Sequence, residues 1–250
     1  MTSGGKMKKP WHENEEYWNN FNFDEKSFES ASKDVELLME LAELKTPMKV
    51  LDLCCGVGRH SIALAKRDFE VTGVDTNKNY LNTAYDRTEE ENLRIEFVKE
   101  DMREFKKKEK FDVVVNLFTS FGYFEDEEEN KKVLQNVFES LKPGGKFILD
   151  VMGKEIIARI FKEKDWIEMN GSFRLFQRSV ERDWSWLNNR WINIEDGEVK
   201  EYDVSHQLYS AKELKDMLKE VGFTSVSVYG SFEGSDYDEN AKRLVVVGEK

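Results

Sequence analysis

Gly56 and Gly58 stand in the run Leu51-Asp52-Leu53-Cys54-Cys55-Gly56-Val57-Gly58-Arg59, and the carboxylate of Asp75 follows about 17 residues after Gly58. A residue without Cβ lets the chain turn sharply and lets a ligand come close to the main chain. Placed between a strand and a helix of an open α/β sheet, such a turn suits a nucleotide-like ligand, and an acid ending the next strand grips its ribose. Lys49 to Leu53 reads as the first strand, and Glu70-Val71-Thr72-Gly73-Val74-Asp75 as the second. Two glycines alone are also compatible with a mere close contact between helix and strand, so the setting has to decide.

The setting favours a cofactor. Asp52 closes the strand before the turn, Asp101-Met102 follows a third strand (Arg94 to Glu100), and Leu141-Lys142-Pro143-Gly144-Gly145 leads into a strand ending at Asp150. From about residue 10 to the end, this arrangement resembles the class I S-adenosylmethionine-dependent methyltransferases. Their acidic-x-Gly-x-Gly-x-Gly motif falls on Asp52, Cys54, Gly56 and Gly58, with the small residue Cys54 in place of the first glycine. The resemblance implies S-adenosyl-L-methionine as cofactor and S-adenosyl-L-homocysteine as product. It implies the main chain of Gly56 and Gly58 near the methionine portion, Asp75 on both ribose hydroxyls, Asp101 on the adenine amine and Met102 beside the ring. Arg59 either pairs with the cofactor carboxylate or faces solvent. Tyr17 is the candidate for touching the methionine end, and Thr76 and Asn116 complete the implied cofactor set. The implied fold is α/β and Rossmann-like, a seven-stranded mostly parallel sheet with an antiparallel edge strand, plus an antiparallel β insertion acting as a lid.

Methyl transfer from a sulfonium needs the acceptor lone pair in line with the S–CH₃ bond, so positioning can supply most of the rate and a dedicated base is optional. On the acceptor side, Leu117-Phe118-Thr119-Ser120-Phe121-Gly122-Tyr123 is similar to the corresponding loop of sugar-amine N-methyltransferases, where a histidine takes the last position. Here it is Tyr123. A phenol with an ordinary pKa of about 10 orients an amine or hydroxyl better than it deprotonates one. His206 is the second catalytic candidate because imidazole titrates near neutrality, although a lone strand histidine is more often packed or solvated. His60 is assigned to the helix after the turn and His12 to the N-terminal segment. No His/Cys cluster has metal-ligand spacing, so no metal is expected.

The elements that must position these residues alternate strand and helix through the first half of the chain, which argues a parallel sheet covered on both faces. Val35, Leu38, Met39 and Ala42 recur at helical spacing over Asp34 to Leu44, and Pro47 prevents continuation. Phe111 to Phe118 reads as a continuous apolar strand, followed by a helix opened by Asp126. After the strand Lys146 to Val151 and a short helix (Glu155 to Phe161), Asn170-Gly171 and Asp196-Gly197 signal hairpins between aromatic runs, read as three or four antiparallel strands. Ser210-Ala211-Lys212-Glu213 is a capping box for the last helix, stopped by Gly222. Two sequential strands, Thr224 to Tyr229 and Arg243 to Val247, close the sheet. The expected division is an N-terminal aromatic cap over 1–33, a cofactor-binding α/β domain over 34–151 and 207–250, and an inserted β lid over 152–206.

The 250 residues suffice for one elaborated domain, and a net charge of −12 works against long-range attraction to nucleic-acid phosphates. The best basic run, Lys106-Lys107-Lys108, is short and flanked by Glu104 and Glu109. The signature that enzymes methylating exocyclic base amines carry after the fourth strand is absent. The 2 cysteines are adjacent, which strains a mutual disulfide, and a reducing cytoplasm fits. No apolar run reaches membrane-spanning length, and Met1 to Lys9 lacks a signal peptide's apolar centre. Charged residues at 35%, mostly Lys and Glu, resemble the balance of hyperthermophile proteins. The expected partner is a small-molecule methyl acceptor, with the aromatic insertion a candidate surface for a homodimer. The competing readings are a catalytically inert S-adenosylmethionine-binding or partner-binding protein, an RNA or protein methyltransferase, and an NAD-dependent dehydrogenase. The last would want a third glycine where Ser61 stands.

Overall fold

The computed structural model describes residues 10–19, 23, 25–169 and 171–250. After a 3-10 turn at Trp11–Glu13 come α1 (Glu15–Asn19), α2 (Glu25–Leu41), β1 (Lys49–Leu53), α3 (Arg59–Ala65), β2 (Glu70–Asp75), α4 (Lys78–Glu90) and β3 (Ile95–Lys99). The chain continues with β4 (Phe111–Asn116), α5 (Glu127–Ser140), β5 (Leu141–Val151), α6 (Lys154–Ile160) and the four strands β6 (Lys164–Met169), β7 (Ser172–Glu181), β8 (Trp186–Glu195) and β9 (Glu198–Gln207). It ends with α7 (Ala211–Val221), β10 (Ser225–Tyr229) and β11 (Leu244–Glu249). Contacts divide the described residues into two compact units, 23–161 with 207–250, and 162–206 with 10–19.

The first unit is a 7-stranded sheet in the order β10-β11-β5-β4-β1-β2-β3. β1 pairs in parallel with β2 and β4, β4 with β5 and β2 with β3, while β11 runs antiparallel to both β5 and the edge strand β10. Successive strand residues point to opposite faces, so near-continuous apolar strands feed two cores at once. Leu51, Val114 and Leu149 face one core with Leu134 of α5 and Leu218 of α7. Their neighbours Val50, Val113 and Ile148 face the other, with Val35 and Leu38 of α2 and Leu64 of α3. The helix expected from Asp34 begins at Glu25, so Phe28 lies on a helix, with the Arg87 guanidinium 3.9 Å from its ring centre. Asn77 and Asp126 cap α4 and α5, and Ser210 and Glu213 form the full capping box of α7. β4 stops at Asn116 rather than Phe118, because Phe118 and Thr119 both take positive φ.

The second unit is a 4-stranded antiparallel sheet in the order β6-β7-β8-β9. Asp196 and Gly197 both have positive φ (49° and 80°), as a two-residue hairpin turn requires. Gly171 is likewise left-handed, while Asn170 of that hairpin signal lies outside the described residues. The aromatic N-terminal segment packs within this unit. Tyr17 is buried with Tyr202 and Val204, its ring 5.5 Å from Trp11, 5.7 Å from Trp191 and 5.3 Å from Tyr202, and Trp11 Nε1 donates to the Ser205 carbonyl at 2.6 Å. Phe21 lies outside the described residues. Among the described residues no helix is long and apolar enough to cross a membrane.

Candidate functional site

At the carboxyl end of β1 the chain takes three left-handed steps, Cys54 (φ 64°), Gly56 (φ 57°) and Gly58 (φ 76°). An L-residue in that region costs roughly 1–2 kcal/mol, which glycine avoids. Cys54 therefore keeps the backbone that a glycine would adopt, and the turn survives the substitution. The two glycines serve different ends. A Cβ on Gly58 would sit 3.0 Å from Ala84 Cβ and 3.3 Å from Phe97 Cζ, so this glycine lets α3 close on α4 and β3. At Gly56 the nearest atom would be Tyr80 Cδ2, 3.9 Å away, so its side is open.

The acids are held by the elements that present them. Asp52 is buried and accepts from Ser61 Oγ at 2.6 Å; burial pushes its pKa up, opposed by His60, Ser61 and Arg59. Asp75, at the end of β2, accepts the Gly56 N–H at 2.9 Å on Oδ2 and the Asn77 N–H at 2.8 Å on Oδ1. The carboxylate thus braces the glycine turn and the start of α4 together. Burial raises its pKa as well, partly offset by those two N–H donors. Thr76, next in the chain, is exposed. Burial and the surrounding Asp75 and Asp52 carboxylates push both Cys54 and Cys55 thiols well up, which leaves them protonated and poor nucleophiles.

Asp101 has a partner two residues along the chain. Arg103 reaches back to it with Nε at 3.0 Å and Nη2 at 2.7 Å, and sends Nη1 to Glu129 at 2.6 Å while stacking 4.2 Å from the Phe124 ring centre. Met102 is buried, and its sulfur accepts from Cys54 Sγ at 3.5 Å. Asn116 donates Nδ2 to the Leu53 carbonyl at 3.1 Å, whereas its buried Oδ1 has no hydrogen-bond partner among the described residues.

Arg59, the first residue of α3, lies between the rings of Phe23 (5.1 Å) and Phe118 (4.9 Å) and donates Nη1 to the Ser27 carbonyl at 3.2 Å. It makes no ion pair among the described residues, and burial lowers its pKa against the pull of Asp34 and Asp52. His60 packs its ring 5.4 Å from Phe118, with Nε2 3.5 Å from Asp34 Oδ2.

The loop after β4 is fixed by an ion pair between a buried aspartate and a half-buried arginine that sequence reading missed. Phe118 and Thr119 both have φ 58°, a cost of roughly 1–2 kcal/mol each that persists only where surroundings dictate it. Phe118 N–H donates to Asp150 Oδ2 and Thr119 N–H to the Asp150 carbonyl, both at 2.9 Å. Arg243 grips Asp150 with Nε at 2.6 Å and Nη2 at 2.7 Å, and Nη2 also reaches Thr119 Oγ1 at 3.3 Å. Asp150 was legible as the end of a strand, but Arg243 is 93 residues away, with no local signal to pair them. Further along, a Cβ on Gly122 would lie 2.7 Å from the Gln207 carbonyl oxygen, so only glycine fits between. Tyr123 packs, half-buried, against the core on the α5 and α7 side.

The remaining candidates lie in the other unit. His206 has its pKa lowered by burial to about 4, so the imidazole is neutral at physiological pH and a weak proton acceptor. Tyr17 is enclosed by the aromatic cluster of the same unit. That unit also contains a cavity of 670 Å³ lined by Trp11, Tyr202 and carboxylates that include Glu13, Glu201 and Asp203.

Residues 50–145 match the family model described as a methyltransferase domain. A protein of Geobacillus sp. (strain WCH70) named as a methyltransferase is 25% identical over 240 residues, covering 94% of this chain and 97% of that one. The glycine/sarcosine N-methyltransferase of Aphanothece halophytica is 25% identical over 226 residues, 88% of this chain and 83% of its own. Among solved structures, S-adenosylmethionine-bound CalS10, an amino pentose methyltransferase from Micromonospora echinaspora, superposes with a TM-score of 0.65 at 19% identity, covering 92% of this chain and 99% of that one. Together with the glycine turn and the seven-stranded sheet, the matches show a methyltransferase domain in this chain and S-adenosylmethionine as its methyl donor.

Proposed function

We propose that this enzyme moves the methyl group to a nitrogen or oxygen of a small molecule, with an amine the better fit. The observation that carries the reading is the loop 117–123, whose side chains include no carboxylate, imidazole or ammonium and whose Thr119 hydroxyl is already engaged by Arg243 and the Met152 N–H. A site without a base suits an acceptor that arrives with a free lone pair, as a neutral amine does, better than a hydroxyl that must lose its proton. Relatives whose names specify amines, the glycine/sarcosine N-methyltransferase among them, support the same choice.

The residues present fit the cofactor. Asn116 Oδ1 is a buried acceptor in want of a donor, as the cofactor's ammonium would be, and the open side of Gly56 admits a ligand against the main chain. When bound, S-adenosylmethionine supplies an electrophilic methyl on a sulfonium. The chain then has four tasks. Asp75 takes the ribose hydroxyls while holding Gly56 and Asn77. Asp101, oriented by Arg103, takes the adenine amine, and Met102 lies beside the ring. Arg59 pairs with the cofactor carboxylate, and Tyr123 orients the acceptor. The bound cofactor would supply the methyl carbon, and the chain's residues would hold an amine lone pair in line with it, the amine's proton being lost to solvent. His206, in the inserted sheet, is too weakly basic to serve as a general base near neutral pH.

The test is S-adenosylhomocysteine release from S-adenosylmethionine over a panel of small amines, with matched alcohols and carboxylates, and with RNA and protein substrates as separate arms. Turnover with amines is expected, above that with the matched alcohols. Turnover confined to RNA or protein refutes the reading.

A further inference from the structure

We infer that Asp150 and Arg243 are positioning residues for the cofactor's amino-acid end, acting through Phe118 on Arg59. The inference rests on the proposal that Arg59 takes the cofactor carboxylate. An arginine side chain carries much rotamer freedom, and a guanidinium held in place before the ligand arrives loses less on binding. Arg59 is held by two ring faces, and one of them, Phe118, owes its place to a backbone that L-residues disfavour.

What forces that backbone is the pair of N–H groups directed at Asp150. Phe118 N–H is aimed at its side chain and Thr119 N–H at its carbonyl. Asp150 is 0% exposed, so its side-chain oxygens need partners within the protein. Arg243 does this with a two-pronged grip, and the same nitrogen that closes the grip touches Thr119 Oγ1. The Arg243 guanidinium also lies 5.6 Å from the Phe118 ring centre, so that ring has an arginine on Arg59's side at 4.9 Å and another at 5.6 Å. The clamp therefore couples β5 and the start of β11 to a side chain on α3 through two strained residues, with no contact to Arg59 of its own among these bonds.

The clamp makes a distinction that a merely structural ion pair would not. It should matter for a ligand with a carboxylate and be indifferent to one without. Calorimetry with S-adenosylhomocysteine and with 5′-methylthioadenosine, which keeps the adenosine and thioether but lacks the amino acid, reads that distinction. Arg243→Lys keeps the charge and loses the fork. It is expected to weaken S-adenosylhomocysteine about tenfold, ~1.4 kcal/mol, while 5′-methylthioadenosine stays within about twofold. Adding Thr119→Gly to Arg243→Lys should restore most of the loss, because glycine holds φ 58° without cost. Should Arg243→Lys fail to fold, Thr119→Val leaves the Arg243–Asp150 pair intact, removes the hydroxyl that accepts from Arg243 Nη2 and the Met152 N–H, and is expected to show the same selective loss.

Equal weakening of both ligands, no weakening of either, or no recovery with the glycine overturns the inference. Arg59→Met separates it from the reading beneath it. If that variant loses S-adenosylhomocysteine selectively and Arg243→Lys does not, the clamp is wrong and the Arg59 assignment stands. If Arg59→Met binds both ligands like the parent, the assignment fails and the clamp's role fails with it.

Discussion

Asp75→Asn is the perturbation that most directly tests how the crevice works. Asp75 gives one oxygen to the Gly56 N–H at 2.9 Å and the other to the Asn77 N–H at 2.8 Å. An amide of the same shape keeps one acceptor and turns the other into a donor facing an N–H. One charge-assisted bond is lost and a donor is left unsatisfied, a cost of about 1.5–3 kcal/mol. In a chain of 250 residues each kcal/mol lowers the melting temperature by roughly 2–4 °C, so scanning calorimetry should read a drop of roughly 3–12 °C in a protein that still folds. If the same carboxylate takes the ribose hydroxyls, S-adenosylhomocysteine binding weakens by about 1.5–3 kcal/mol, roughly 10- to 150-fold in titration calorimetry.

The pH dependence gives a second readout of Asp75. Burial raises its pKa, so the folded protein takes up this proton more readily than the unfolded chain. The group's own contribution to stability therefore falls as pH rises between the ordinary aspartate value and the raised one. Cofactor affinity runs the other way, since hydroxyls need the carboxylate as acceptor. Acidifying the parent protein should weaken S-adenosylhomocysteine at a pH above the ordinary aspartate range, and Asp75→Asn should abolish that part of the profile. A folded Asp75→Asn protein with parental affinity, or with the parental pH profile, would show that the ribose is not held here.

Two further outcomes are expected. His206 has its pKa lowered to about 4 in the folded state, so the unfolded chain binds the extra proton first; the stability it contributes is present above about pH 6.5 and is lost as pH falls toward 4. The residue keeps intermediate solvent accessibility, which puts the loss at about 1–3 kcal/mol; urea unfolding at pH 7 and pH 4.5 should show His206→Gln less acid-sensitive than the parent, and equal sensitivity would refute the neutral imidazole. Ser61→Ala removes a 2.6 Å bond between two buried groups and leaves Asp52 with less support, so the urea midpoint should fall by the equivalent of about 1.5–3 kcal/mol; an unchanged midpoint would mean that Asp52 is not carried as an anion.

Much of this molecule is local and therefore legible in order along the chain. Cys54, Gly56 and Gly58 mark a turn because left-handed backbone restricts residue type, and the period of Val50, Leu51, Val113 and Val114 dictates strands buried on both faces. Ser210 and Glu213 announce a helix start, and Asp196-Gly197 a hairpin, through bonds or dihedrals that span a few residues. Asp75 follows from the same logic, since an acid ending the second strand of such a sheet has one crevice to face. What remained hidden depends on residues distant in sequence arriving at one place. Gly58 is pressed on Ala84 and Phe97, a constraint that only the packing of α4 and β3 decides. Arg103, which grips Asp101, is itself held by Glu129, 26 positions away. The bond of Arg243 to Asp150 crosses 93 positions, and the unusual backbone at Phe118 and Thr119 has no signature in the residue types, because neither is a glycine. Sequence by itself determined which stretches turn, pair and coil, since those choices are made by neighbours a few residues apart; the tertiary structure alone decided which charges are spent on one another and which stay open to a ligand, since an ion pair is fixed by proximity in space and leaves no period in the chain.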